Sequence, residues 1–128
     1  MISRRHLLLL GGAAALPWPG RADESGNGSG RGPRHALIIG NAAYSEGIGT
    51  LANPVRDAHR VAEGIVECGF SLVTGDVVKD AGRSEMMSAF RAYVDAMQTS
   101  GPDATGFVYY SGHGAARDGE GNFLIPVE

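Results

Sequence analysis

Apolar positions follow two rhythms along this chain. Ala36-Leu37-Ile38-Ile39 is a continuous apolar run ended by Gly40-Asn41, the pattern of a strand buried on both faces. Val55, Ala58, Val61, Ala62, Ile65 and Val66 recur instead at helical spacing. Asn53-Pro54 starts that helix, with Asn at the cap and Pro in the first turn, and Gly69 closes it. Phe70 to Thr74 reads as a second short strand, and the run Asp76 to Asp80 as a solvated loop. Ser84 caps a second helix that places Met87, Phe90, Val94 and Met97 on one face, and Gly101-Pro102 ends it. Gly106-Phe107-Val108-Tyr109-Tyr110 is a third strand. Asp118-Gly119-Glu120-Gly121 is a turn, and Asn122 to Val127 a last extended segment.

Strand, helix, strand, helix, strand implies two right-handed crossovers, a parallel sheet and an α/β fold. Ligands and catalytic groups gather at the carboxyl ends of such strands. Three segments lie there: Asn41 to Asn53, Gly75 to Gly82, and Ser111 to Arg117.

The first 34 residues stand apart from this pattern. Residues 1–22 read as an export signal, with Ser3-Arg4-Arg5-His6 followed by the ten apolar or small residues Leu7 to Leu16. The paired arginines directly before the leucines resemble a bacterial twin-arginine signal, which implies a periplasmic or secreted product. Residues 23–34 form a linker with alternating glycines and almost nothing apolar to bury. Those glycines are not a dinucleotide loop, because no strand precedes them. The folded domain then covers residues 35–128.

Composition narrows the function classes. With 43% apolar residues and 20% charged residues, the chain has the balance of a globular protein. The formal charge of −3 and the lack of a basic stripe argue against a nucleic-acid partner. No stretch approaches the ~18 apolar residues of a stable membrane span. The single cysteine, Cys68, excludes an internal disulfide and a multi-thiolate metal site.

One segment carries the chemistry. Tyr109-Tyr110-Ser111-Gly112-His113-Gly114 places a histidine just past a strand tip, between two glycines that let the backbone turn sharply and approach a substrate. Histidine takes and returns protons near neutrality. A bare N–H at Gly114 is suited to a developing oxyanion. A turn histidine with a satisfied hydrogen bond is the competing reading.

These pieces also make a resemblance. His35-Ala36-Leu37-Ile38-Ile39-Gly40-Asn41-Ala42-Ala43-Tyr44, then Leu51-Ala52-Asn53-Pro54-Val55-Arg56-Asp57-Ala58, then Gly69-Phe70, then Tyr109 to Gly114, and finally Asn122 to Glu128 occur in this order. The ordered set resembles the large-subunit region of caspase-like cysteine peptidases, the group that includes metacaspases. The resemblance implies a three-layer α/β fold with a mostly parallel sheet, of which this chain holds the N-terminal half. It implies cysteine-type endopeptidase activity on peptide or protein substrates. It also implies that His113 is the general base and acid of a Cys–His dyad, and that the Gly114 N–H is an oxyanion donor. Asn53-Pro54 and Asp57 are expected to be scaffold. No cofactor is implied. Calcium regulates some members, but no acidic cluster here is assignable to it.

The dyad's cysteine is expected elsewhere. The family signature places it about 50 residues after the histidine, near position 163. Cys68 is expected at the far end of the sheet, because a helix of about 14 residues is about 21 Å long. The negative end of the helix dipole also disfavours its thiolate. Cys68 is therefore read as a core or boundary residue, and the isolated chain as inactive. His35, His59 and His113 are not expected to converge on a metal. Two other functions stay open: a non-catalytic caspase-like binding module, and a flavodoxin-like ligand-binding domain. The third strand is expected to leave an exposed apolar edge that invites self-association.

Overall fold

The computed structural model describes residues 32–127. The expected export segment 1–22 and residues 23–31 of the expected linker lie outside the described residues. In chain order the elements are β1 (Arg34–Gly40), α1 (Pro54–Glu67), β2 (Ser71–Leu72), β3 (Val78–Lys79), α2 (Arg83–Ser100), β4 (Thr105–Ser111), β5 (Gly114–Arg117) and β6 (Gly121–Leu124).

β1 is the centre of a parallel four-stranded sheet. β4 runs along one of its edges for the whole strand, from Arg34 opposite Thr105 to Gly40 opposite Ser111. The other edge is shared. β2 covers His35 and Ala36, and β3 covers Ile39 and Gly40. With both edges and both faces occupied, β1 has no solvent side, which is why its sequence shows no alternation.

The alternation reappears in what each side chain meets. Ala36 and Ile38 pack with Ala58 and Ala62 of α1, Val77, Phe107 and Tyr109. Leu37 and Ile39 pack with Met86 and Ala89 of α2, Ala81, Phe90, Tyr93 and Tyr110. One helix therefore lies on each face, as the three-layer expectation requires. Each large β1 side chain buried this way stabilises the fold by roughly 1.5–3 kcal/mol. Gly40 ends the strand because α1 crosses it closely. A Cβ there would lie 2.7 Å from the Pro54 carbonyl oxygen.

Several local expectations are corrected. The second strand is only Ser71–Leu72, because Gly75 turns the chain at positive φ. The run Asp76 to Asp80 is not a solvated loop: Val77 is buried and Val78–Lys79 forms β3. Two adjacent valines after a glycine turn supply the apolar side chain and the β propensity that the loop assignment overlooked. The N-cap of α2 is Gly82, not Ser84, and the Glu85 carboxylate accepts the Gly82 N–H at 3.1 Å. Asn53 stands at the N-cap of α1, yet its side chain accepts from Arg56 rather than from a helix amide.

The buried stripe of α2 is Met86, Ala89, Phe90 and Tyr93, while Met87 and Val94 are exposed. The doublets Met86-Met87 and Tyr93-Val94 let two neighbouring stripes satisfy the same period, and packing selected the earlier one. Val66 is also exposed, at the frayed edge of the α1 stripe. The extended tail from Asn122 is paired rather than single. β5 and β6 form an antiparallel hairpin, with Gly119 and Gly121 at positive φ near its turn.

Candidate active site around His113

The carboxyl ends of β1 and β4 lie side by side. Gly40 is opposite Ser111, and the Asn41 N–H donates to the Ser111 carbonyl at 2.8 Å. Two residues further on, the chain reaches His113, which is half-buried. The site is built from four segments that meet at this end.

The first is the loop from Asn41 to Asn53. The Leu51 N–H bonds the Ala42 carbonyl at 2.9 Å and the Gly49 N–H bonds the Ser45 carbonyl at 2.9 Å, so the loop folds back on itself. Gly49 has φ +92, a conformation that glycine adopts at no steric cost. Its carbonyl oxygen lies 2.8 Å from His113 Nε2. A carbonyl only accepts, so Nε2 carries the hydrogen. In the neutral ring Nδ1 then holds the lone pair.

Tyr44, from the same loop, meets His113 twice. Its ring stands edge-on to the imidazole, with centroids 4.6 Å apart and planes at 66°. Its hydroxyl accepts the His113 backbone N–H at 3.0 Å. The second segment is the tip of β4. The Tyr110 hydroxyl donates to the His113 carbonyl at 2.8 Å and lies 3.0 Å from the Tyr44 hydroxyl. Tyr110 is held above the ordinary phenol range, first by burial and then by the neighbouring Tyr44 hydroxyl.

The third segment is Ile125 to Val127. The Ile125 N–H donates to the His113 carbonyl at 3.0 Å. The Ile125 carbonyl in turn faces both tyrosine hydroxyls at 2.9 Å. The fourth is Asp80 to Ala81. Asn41, fully buried, accepts the Ala81 N–H at 2.9 Å and donates to the Ala81 carbonyl at 3.1 Å. That carbonyl also receives the Val127 N–H at 2.9 Å. Asp80 caps the start of the loop, its carboxylate accepting Ala42 and Ala43 N–H at 2.8 and 2.9 Å.

The glycines beside His113 serve unlike purposes. Neither is among the positive-φ residues. The sharp turn expected of both is therefore not what selects them. Gly112 is a close-approach residue: a Cβ there would sit 2.5 Å from both tyrosine hydroxyls. Gly114 is exposed and opens β5 opposite Leu124. A Cβ there would meet only the Phe123 carbonyl oxygen, at 3.5 Å.

Cys68 is not part of this assembly. It ends α1 and its carbonyl accepts from Arg34, the first residue of β1. His113 lies beyond the other end of the sheet, so roughly 20 Å of strand separates them. Cys68 is also exposed at the C-cap of α1, not a core residue. His35 lies at the Cys68 end with Nε2 2.6 Å from Ser100 Oγ, and His59 lies on α1. Among the described residues no group of three or more His, Cys, Asp or Glu could hold a metal ion.

The motif puts His113 at the strand tip but does not reveal the residues that surround it. Tyr44 and Tyr110 stood inside the segments that carried the resemblance without any role. Period two along β4 already placed Tyr110 on the opposite face from Tyr109, which was the available signal. Gly49, Asn41 and Asp80 act through a loop whose path no local pattern encodes.

No curated protein and no solved structure matches this chain. The family model of the caspase domain matches residues 33–128, which takes in every element of the fold and the whole His113 site. The strand-tip histidine, the parallel sheet with a helix on each face and this match lead to one conclusion: the chain belongs to the caspase-domain family of peptidases.

Proposed function

We propose that His113 is the general base and acid of a Cys–His cysteine endopeptidase and that the Gly114 N–H is one of its oxyanion donors. The observation that carries this reading is the bond between His113 Nε2 and the Gly49 carbonyl. It fixes the ring by one nitrogen and leaves the Nδ1 lone pair to take a thiol proton. The carbonyl dipole also favours the imidazolium that forms. The thiolate then attacks the substrate carbonyl, and the tetrahedral oxyanion is met by backbone N–H groups. His113 returns its proton to the leaving amine, and water resolves the thioester.

The thiol of this dyad is not Cys68, the chain's one cysteine. It comes from outside these 128 residues, from a segment following another strand. The folded domain begins near residue 35. Residues 1–22 direct it out of the cytoplasm through a twin-arginine-like signal. The same distance between Cys68 and His113 favours a second reading, a non-catalytic module that binds partners through the caspase scaffold.

The deciding experiment is to read the gene through codon 128 and assay its whole product. Fluorogenic peptides with Asp, Arg or Lys before the scissile bond are the substrates. Hydrolysis that falls by about 10²–10⁴-fold in His113→Ala supports the dyad. Hydrolysis indifferent to His113→Ala overturns it. A stop after Glu128 with no hydrolysis selects the binding module.

A further inference from the structure

The two tyrosine hydroxyls meet the main chain of His113, while the Tyr44 ring meets its imidazole. The His113 N–H points to Tyr44 Oη at 3.0 Å. Tyr44 Oη lies 3.0 Å from Tyr110 Oη. Tyr110 Oη reaches the His113 carbonyl at 2.8 Å. A hydroxyl has one proton to give and two lone pairs to offer. Once Tyr44 accepts the His113 N–H, its own proton can pass to Tyr110, and that of Tyr110 to the His113 carbonyl. The hydrogen bonds then close a ring that begins and ends on one residue, each bond polarising the next. When Tyr44 donates instead to the Ile125 carbonyl at 2.9 Å, the one Tyr110 proton, which has the His113 carbonyl at 2.8 Å and the Ile125 carbonyl at 2.9 Å within reach, is left to the His113 carbonyl and both ends on His113 are kept.

We infer that Tyr44 and Tyr110 are positioning residues that hold His113 by both of its backbone groups and so aim its imidazole at the Gly49 carbonyl. This rests on the proposed role of His113 and adds the device that sets the ring's orientation. Either tyrosine alone would leave one backbone group of His113 with less support. Tyr44 adds a ring contact at 4.6 Å that blocks one swing of the imidazole. Gly112 belongs to the same device, because only a residue without Cβ leaves room for the two hydroxyls. Both tyrosines act through their contacts with His113.

Imidazole ¹⁵N NMR on the 128-residue chain tests this without any turnover. A failure here is therefore distinct from a failure of the peptidase reading, which hydrolysis decides. At alkaline pH, where a free imidazole is neutral, the shifts report which nitrogen holds the hydrogen. In the native chain the Nε2–H form of His113 is expected to dominate. In Tyr44→Phe and Tyr110→Phe the ratio of the two forms is expected to fall about threefold to tenfold, the range of one net hydrogen bond. The His35 ratio, at the other end of the sheet, stays fixed and serves as the internal control. Tyr93→Phe, whose ring packs between α2 and β1, is the control for loss of a tyrosine hydroxyl elsewhere and leaves His113 unmoved. An unchanged His113 ratio in both site variants overturns the inference. Should either variant fail to fold, amide exchange in the native chain decides. A His113 N–H that exchanges at least about tenfold more slowly than the turn residue Gly119 supports the clamp. Exchange as fast as that of Gly119 overturns it.

Discussion

The Asp80 carboxylate accepts the Ala42 N–H at 2.8 Å, joining the residue after β3 to the loop that leaves β1. The same oxygen takes the Ala43 N–H, and the Asp80 N–H returns to the Gly40 carbonyl at 3.0 Å. Asp80 stands at φ +45, a conformation that Asp tolerates better than most residues. This contact anchors the root of the loop that carries both Tyr44 and Gly49. Asp80→Ala removes the acceptor from two amides and keeps the unfavourable φ. It is expected to lower stability by about 2 kcal/mol in urea unfolding. Asp80→Asn keeps an acceptor oxygen and the tolerance of φ, so its cost should be less than half of that. A loss below about 0.5 kcal/mol in Asp80→Ala would show that the carboxylate is not the anchor.

The two glycines beside His113 separate packing from conformation. Gly112→Ala drives a methyl group against two hydroxyls already held by hydrogen bonds, and the expected loss is about 1–3 kcal/mol. Gly114→Ala meets one carbonyl oxygen at ordinary contact distance, and should stay within about 0.5 kcal/mol of the native chain. Thermal unfolding of the pair gives the comparison directly. A Gly114→Ala loss as large as that of Gly112→Ala would refute the close-approach explanation.

The division between these glycines shows where sequence pattern stops being informative. β1, β4, the two helices and the strand-tip position of His113 were legible because each follows from a local period or a local motif. The apolar run of β1 announced burial on both faces, and the structure places a helix on each. In the α2 stripe Phe90 and Met97 stand inward as expected, but Met87 and Val94 do not, because Met86-Met87 and Tyr93-Val94 offer two equivalent faces and only the position of Leu37 and Ile39 decides between them. β3 was missed because two residues are too few to show a period. The surroundings of His113 were illegible for a different reason. Gly49, Tyr44, Tyr110 and Ile125 reach it through chain separations from 3 to 69 residues. Their roles depend on how far a loop folds back, which no window along the chain contains.

Tyr110 makes stability depend on alkaline pH. Its folded-state value is raised, so the folded chain holds the phenol proton more tightly than the unfolded chain does. That contribution is complete below the ordinary tyrosine value of about 10 and is lost as pH rises beyond it. Stability should therefore fall across this range, and Tyr110→Phe should flatten the fall while losing stability at neutral pH. Denaturant titrations at several pH values between about 9 and 12 measure both slopes. Parallel slopes for the native chain and Tyr110→Phe would show that this phenol is not the titrating group.

The outer edge of β4 is the last place where the fold makes a testable demand. β1 has neighbours on both edges, whereas among the described residues β4 pairs with β1 alone. Its two faces are unequally covered. Phe107 and Tyr109 pack into the cluster under α1, but α2 packs on β1, and Val108 on that side is exposed. A seven-residue strand with one open edge and an exposed valine is a template for another strand. The chain consisting of these 128 residues should therefore associate as its concentration rises. Val108→Lys places a charge on the open face of this edge strand, where the side chains of an added strand would have to pack beside it. It should weaken association by about tenfold or more, with a cost in monomer stability of about 1 kcal/mol or less, because Val108 is already 43% exposed. Sedimentation velocity across a concentration series reads both effects. If the chain stays monomeric at every concentration, or if Val108→Lys associates as readily, the β4 edge is not where copies meet.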